Sequence, residues 1–116
     1  AGKDCWSGRV AQPDAQGTDG PKATLAAALE AVRKEDAPQR RIVLGPGRHC
    51  VSQTVVLDAR DAGLTVEGAG AGQTFVYGGR RITGWRQDGP QFWVSDVPEV
   101  QQGKWDFRAL VVNDRL

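Results

Sequence analysis

The sequence predicts a mainly β chain preceded by a single helix, and three observations carry that expectation. Glycine supplies 15 of the 116 residues, about twice ordinary usage, which suits tight turns between short strands. Only one stretch, residues 23–35, has the periodicity of an amphipathic helix. Four short apolar runs then follow at intervals, with glycine-rich turns and no helix between them, so they are not βαβ units. The first and third runs begin 22 residues apart and the second and fourth 20, a spacing within the range of stacked repeats. A strand pair of that size buries little alone and needs a neighbour on top of it, which is the logic of a parallel β-helix.

Residues 1–21 are polar and turn-rich, with an apolar touch at Cys5 and Trp6, and predict one brief strand and a surface loop. In the helix, Thr24 is the expected N-cap, and Leu25, Ala28, Leu29 and Val32 form one apolar stripe. Pro38 stops it, and Arg33 and Lys34 complement the dipole near its end. Leu25, Leu29 and Val32 are therefore expected inside, Glu30 and Lys34 outside. The four strand candidates are Ile42-Val43-Leu44, Val55-Val56-Leu57, Leu64-Thr65-Val66 and Phe75-Val76-Tyr77. Beyond them, Arg81 to Arg86 and Phe92 to Ser95 flank a turn at Gln87-Asp88-Gly89-Pro90, a hairpin that would bring Trp85 and Trp93 near each other. A last apolar run, Leu110-Val111-Val112, enters a turn at Asn113-Asp114, and an interrupted strand pattern there suggests that more chain follows. The organisation expected is thus 1–79, helix and first strands, and 80–116, a tryptophan-rich hairpin region.

Composition excludes several function classes. Fifteen basic against fourteen acidic residues, dispersed along the chain, build no field of the kind that nucleic-acid phosphates reward. Apolar runs of a few residues fall far short of the roughly 20 needed for a membrane span. One histidine and two separated cysteines do not make a zinc site, and no cofactor is expected. Glu67 to Gly72 is glycine-rich after a strand, but a strand follows it where a phosphate loop needs a helix N-terminus. His49 has only Cys50 beside it, on the opposite face of a strand, and predicts no dyad.

Glycosidase chemistry requires two carboxyl groups about 5 to 10 Å apart. Asp58, Asp61, Asp88, Asp96 and Asp106 are available, yet all lie in turn contexts where aspartate ordinarily bonds its own backbone. No catalytic residue is assigned. Trp85, Trp93 and Trp105 are the candidates for sugar contact, because pyranose faces pack on aromatic rings, with Trp105 expected to be the most exposed. Packing within the hairpin is the competing role. Arg80, Arg81, Arg86 and Arg108 raise the alternative of an acidic saccharide.

Several segments in order carry a resemblance: PKATLAAALEAVRK (21–34), IVLGPGRHCVSQTVVL (42–57), LTVEGAGAGQTFVYGGRRITGW (64–85) and FRALVVNDRL (107–116). They resemble the capping helix, first two coils and entry to the main solenoid of secreted right-handed parallel β-helix proteins, a group of glycoside hydrolases and polysaccharide lyases. That resemblance implies a capping segment of a polysaccharide-active enzyme, secreted or periplasmic. Its partners would be a polysaccharide or oligosaccharide and the remainder of the same β-helix protein, its catalytic carboxylates lying on later coils. The alternatives are a non-catalytic carbohydrate-binding module and a purely structural cap. In a secreted chain a Cys5–Cys50 bridge, closing a loop of about 45 residues, would contribute about 3 to 4 kcal/mol, and two buried free thiols are the other reading.

Overall fold

The computed structural model describes residues 1–113, and the chain separates into two compact units, Ala1–Arg80 and a second that begins at Arg81. In the first unit, residues 1–24 form no strand but a knot of turns held by side-chain carboxylates. Asp4 accepts the backbone N–H groups of Ala23 (3.0 Å) and Thr24 (2.8 Å) and the Thr24 hydroxyl. Asp19 accepts the Ser7 N–H and hydroxyl, both at 2.7 Å. Lys22 Nζ donates to the carbonyls of Asp4 and Trp6. Aspartates and hydroxyl residues favour such local bonds over a ladder, which is why the expected N-terminal strand is absent. Trp6 is buried, its ring against Gly20, where a Cβ would lie 2.5 Å from the indole. Only glycine fits there.

Helix α1 (Leu25–Val32) starts as its sequence demands, the Thr24 hydroxyl accepting from Ala27 N–H at 3.1 Å. Leu29 is buried, Leu25 and Val32 are half-buried, and Glu30 and Lys34 are exposed. The stripe packs on β1 (Arg40–Leu44), whose Ile42 is the third buried apolar residue besides Trp6 and Leu29. Arg33, at the C-cap, does more than complement the dipole. Its guanidinium grips Asp61 through Nε (2.8 Å) and Nη2 (2.7 Å), and also bonds Glu30 and the Val56 carbonyl.

The remaining strands of this unit are β2 (Gly47–Val51), β3 (Leu64–Gly68) and β4 (Thr74–Gly78). β1 pairs in parallel with β3, Ile42 opposite Val66, and β2 pairs in parallel with β4, His49 opposite Val76. Two expectations need correction. The second strand is Gly47–Val51, not Val55-Val56-Leu57, which is irregular and leaves Val56 and Leu57 exposed. More broadly, the right-handed parallel β-helix is not what this chain forms: among the described residues there are three separate two-stranded sheets and two helices, and no solenoid. The apolar runs supply one partner per strand and no more. With no third layer upon them, Val66, Phe75 and Val76 remain exposed, so the strands enclose no continuous core.

The second unit is built on an antiparallel hairpin, β5 (Arg86–Asp88) and β6 (Phe92–Val94), with Gln87 opposite Trp93 and Asp88 opposite Phe92. Gln87 and Asp88, expected in the turn, are strand residues, and the turn is Gly89-Pro90-Gln91, with Gly89 in the left-handed region. A short helix α2 (Pro98–Gln101), with proline in its first turn, follows and is closed by Lys104 N–H donating to the Glu99 carbonyl at 2.8 Å. Leu110 and Val111 form no strand, and Val112 makes an isolated bridge. Of the turn expected at Asn113-Asp114, only Asn113 lies within the described residues.

Candidate functional site

Alternation along the hairpin sorts its side chains onto two faces. Arg86, Asp88, Phe92 and Val94 share one, and an ion pair between Arg86 and Asp96 (3.3 Å) extends it. Gln87 and Trp93 share the other. Trp85 and Ser95 flank the ladder, one residue before β5 and one after β6. Trp93 is 65% exposed and Trp85 43%.

The Trp85 indole is tethered to the backbone. Trp85 Nε1 donates to the Ile82 carbonyl at 3.1 Å, and Gly84, in the left-handed region, reverses the chain so that this bond closes. Ser95 Oγ donates to the Thr83 carbonyl at 2.7 Å and ties the hairpin's base. The ladder sets the Trp93 backbone opposite Gln87 and leaves its ring exposed. A ring tethered like that of Trp85 loses little further freedom when a flat apolar face settles on it.

Trp105 does not join this surface. It is half-buried and stacks on Phe107, centroids 5.4 Å apart at 30°. The expectation that Trp105 is the most exposed of the three is therefore reversed: the polar segment 101–106 folds as the end of α2 and turns the ring toward Phe107, while Trp93 carries the exposure.

The carboxylates take other roles. Asp61 is buried against Arg33, and that ion pair, with a bond from Asp58 N–H (2.9 Å), holds its carboxyl well below the usual range. Asp58 caps a short 3₁₀ turn (Ala59–Asp61), and the Arg60 guanidinium lowers its pKa to about 2. Asp96 is paired with Arg86, and Asp106 Oδ1 accepts the Phe107 N–H. His49 is half-buried, its Nε2 2.9 Å from the Gly45 carbonyl. Cys5 and Cys50 are both free and exposed; no bridge joins them in this structure, and neither thiol is buried. Among the described residues no group of three or more His, Cys, Asp or Glu is placed to hold a metal, and no helix is long and apolar enough to cross a membrane.

The first unit holds one open hollow of about 460 Å³, lined by Leu44, Val66, Glu67, Gly70, Thr74 and Val76 among others. Its polar groups are already engaged: Glu67 pairs with Arg41, and the Thr74 hydroxyl donates to Gly45 O and accepts from Ala69 N–H. Trp85, Gln87 and Trp93 of the second unit are all exposed. No protein-family model, curated protein or solved structure matches this chain.

Proposed function

We propose that the second unit binds carbohydrate through the paired indoles of Trp85 and Trp93, as a non-catalytic contact of a secreted or periplasmic polysaccharide-active protein. One observation carries this reading: Trp93, in β6, and Trp85, immediately before β5, are 65% and 43% exposed instead of packed in a core. The apolar C–H face of a pyranose ring buries against an indole, while its hydroxyls stay in water or bond to flanking polar groups. A row of two such rings suits consecutive sugars of one chain. Supporting the non-catalytic part, Asp61, Asp58 and Asp96 each have their carboxylates committed to an arginine.

The test is retention of the full chain on insoluble polysaccharides, cellulose, xylan, mannan, chitin and pectin, beside a Trp85→Ala/Trp93→Ala double variant. The reading expects retention on at least one of them, reduced at least about tenfold in the variant, which corresponds to two lost ring contacts. No retention on any, or equal retention of the variant, overturns it.

A further inference from the structure

We infer that the bond between Arg81 and Ile82 is a processing site, cut by an endoprotease whose specificity pockets carry carboxylates for paired basic side chains. The sequence holds three adjacent pairs of basic residues, Arg33-Lys34, Arg40-Arg41 and Arg80-Arg81, and the last two share the tripeptide Arg-Arg-Ile. Folding treats them differently. An endoprotease takes its substrate as an exposed, extended stretch of backbone, so a pair inside a helix end or a ladder is cut only after local unfolding.

Arg33-Lys34 closes α1: the two N–H groups donate to the Leu29 (3.0 Å) and Ala31 (3.2 Å) carbonyls, and the Arg33 side chain, 12% exposed, is locked onto Asp61. Arg40-Arg41 lies in β1, paired with Leu64 and Thr65 of β3. There Arg40 Nη2 donates to the Ala62 carbonyl at 3.0 Å and Arg41 pairs with Glu67. Arg80-Arg81 stands in neither a helix nor a ladder. β4 ends at Gly78 and β5 begins at Arg86, residues 79–85 belong to no helix or strand, and both arginines are exposed. The flanking residues are held at the end of a ladder and by side chains: Gly79 N–H donates to the Val51 carbonyl (2.9 Å), and the Ile82 and Thr83 carbonyls accept from Trp85 Nε1 (3.1 Å) and Ser95 Oγ (2.7 Å). Carboxylates in the protease recognise Arg81, and Arg80 before it, through bidentate guanidinium pairs. Hydrolysis adds water across the Arg81-Ile82 amide, leaving a carboxylate on Arg81 and an ammonium on Ile82. It severs 82–116, which carries Trp85 and Trp93, from 1–81.

The experiment is a time course of the full chain with a trace of a subtilisin-like endoprotease selective for paired basic residues, read by intact mass. It is run on the folded chain and on the chain unfolded in urea that leaves the protease active. The folded chain is expected to give 1–81 and 82–116 first, with Arg81-Ile82 cut at least about tenfold faster than Arg41-Ile42, because cleavage follows the population of the open form. In urea the two Arg-Arg-Ile sites should be cut at rates within about threefold of each other, and Arg81→Gln should abolish the cut after residue 81. A first cut at Lys34-Glu35 or Arg41-Ile42, comparable rates at the two Arg-Arg-Ile sites of the folded chain, or no cut at Arg81-Ile82 would overturn the inference. Undiminished cleavage of Arg81→Gln would do so as well, and a tenfold preference that persisted in urea would overturn its basis in the fold.

Discussion

Trp6 and Trp93 are the same residue type in one chain, yet one is 7% exposed and the other 65%. The difference lies in what surrounds each backbone. Around Trp6, Gly20 leaves an empty Cβ position for the ring, and Asp4, Asp19 and Lys22 draw residues 3–24 into a closed set of turns over it. Among the described residues, Trp93 stands on a two-stranded sheet of three residues a side, whose opposite face carries Phe92, itself 68% exposed. Two short strands have no second layer to bury an aromatic against. An indole is thus a core residue where glycine and tertiary hydrogen bonds enclose it, and a contact surface where a bare ladder displays it.

Substitutions that collapse this distinction should rank accordingly. Trp6→Ala, which empties the enclosed site, is expected to destabilise the first unit by about 3 to 5 kcal/mol in urea unfolding. A smaller loss would mean the turns of residues 1–24 do not close over the ring. Leu29→Ala, beneath the same unit's helix, should cost about 2 to 5 kcal/mol by the same measurement. Asp61→Asn leaves the Arg33 guanidinium without its bidentate partner, and thermal unfolding should shift down by roughly 10 °C.

Acid should reproduce that last effect in the wild type. Asp58 and Asp61 both ionise more readily folded than unfolded, so their contribution is complete above the ordinary aspartate value of 3.8 and is lost as the pH falls toward 2 and below. The thermal midpoint of the first unit should drop across that window in the wild type and drop less in Asp61→Asn. Equal slopes would show that the Arg33–Asp61 bridge does not anchor α1. Trp93→Ala stands at the other extreme, changing unfolding free energy by no more than about 0.5 kcal/mol because the residue is largely exposed. A large destabilisation there would make Trp93 a core residue and remove the contrast with Trp6.

How much of this was legible in the sequence follows from how local each determinant is. Thr24 and the Leu25–Leu29–Val32 stripe act within a few residues, and α1 starts at the expected cap with Leu29 as its buried anchor. The β2 strand was not legible, because GRHCV carries a single aliphatic residue at its end and is strand only through its ladder with Thr74–Gly78. Val55-Val56-Leu57 has every intrinsic mark of a strand and lacks a partner. The first and third apolar runs do pair in parallel, but the second spacing was counted from Val55-Val56-Leu57, which joins no sheet, and no spacing tells how many layers stack, the number that separates paired ribbons from a solenoid. Pro98 followed by Glu99 is the signal for α2 that periodicity over so short a segment does not supply. In the hairpin, the strand run Phe92 to Val94 was legible, whereas β5 begins only at Arg86, after Trp85. That Trp105 leaves them for Phe107 depends on the turn at Gly103, with φ of 66°, which only the folded chain reveals.

The contrast between the enclosed and the displayed tryptophan is most directly tested by ¹⁹F NMR of the chain labelled with 5-fluorotryptophan, its four resonances assigned by single Trp→Phe variants and then followed during titration with a neutral hexasaccharide. The resonances of Trp93 and Trp85 should shift together with one saturation curve, while Trp6 stays fixed and is also the least responsive to exchange of H₂O for D₂O. A shift confined to Trp105, or a Trp6 resonance that moves with the ligand as far as Trp93, would contradict the account.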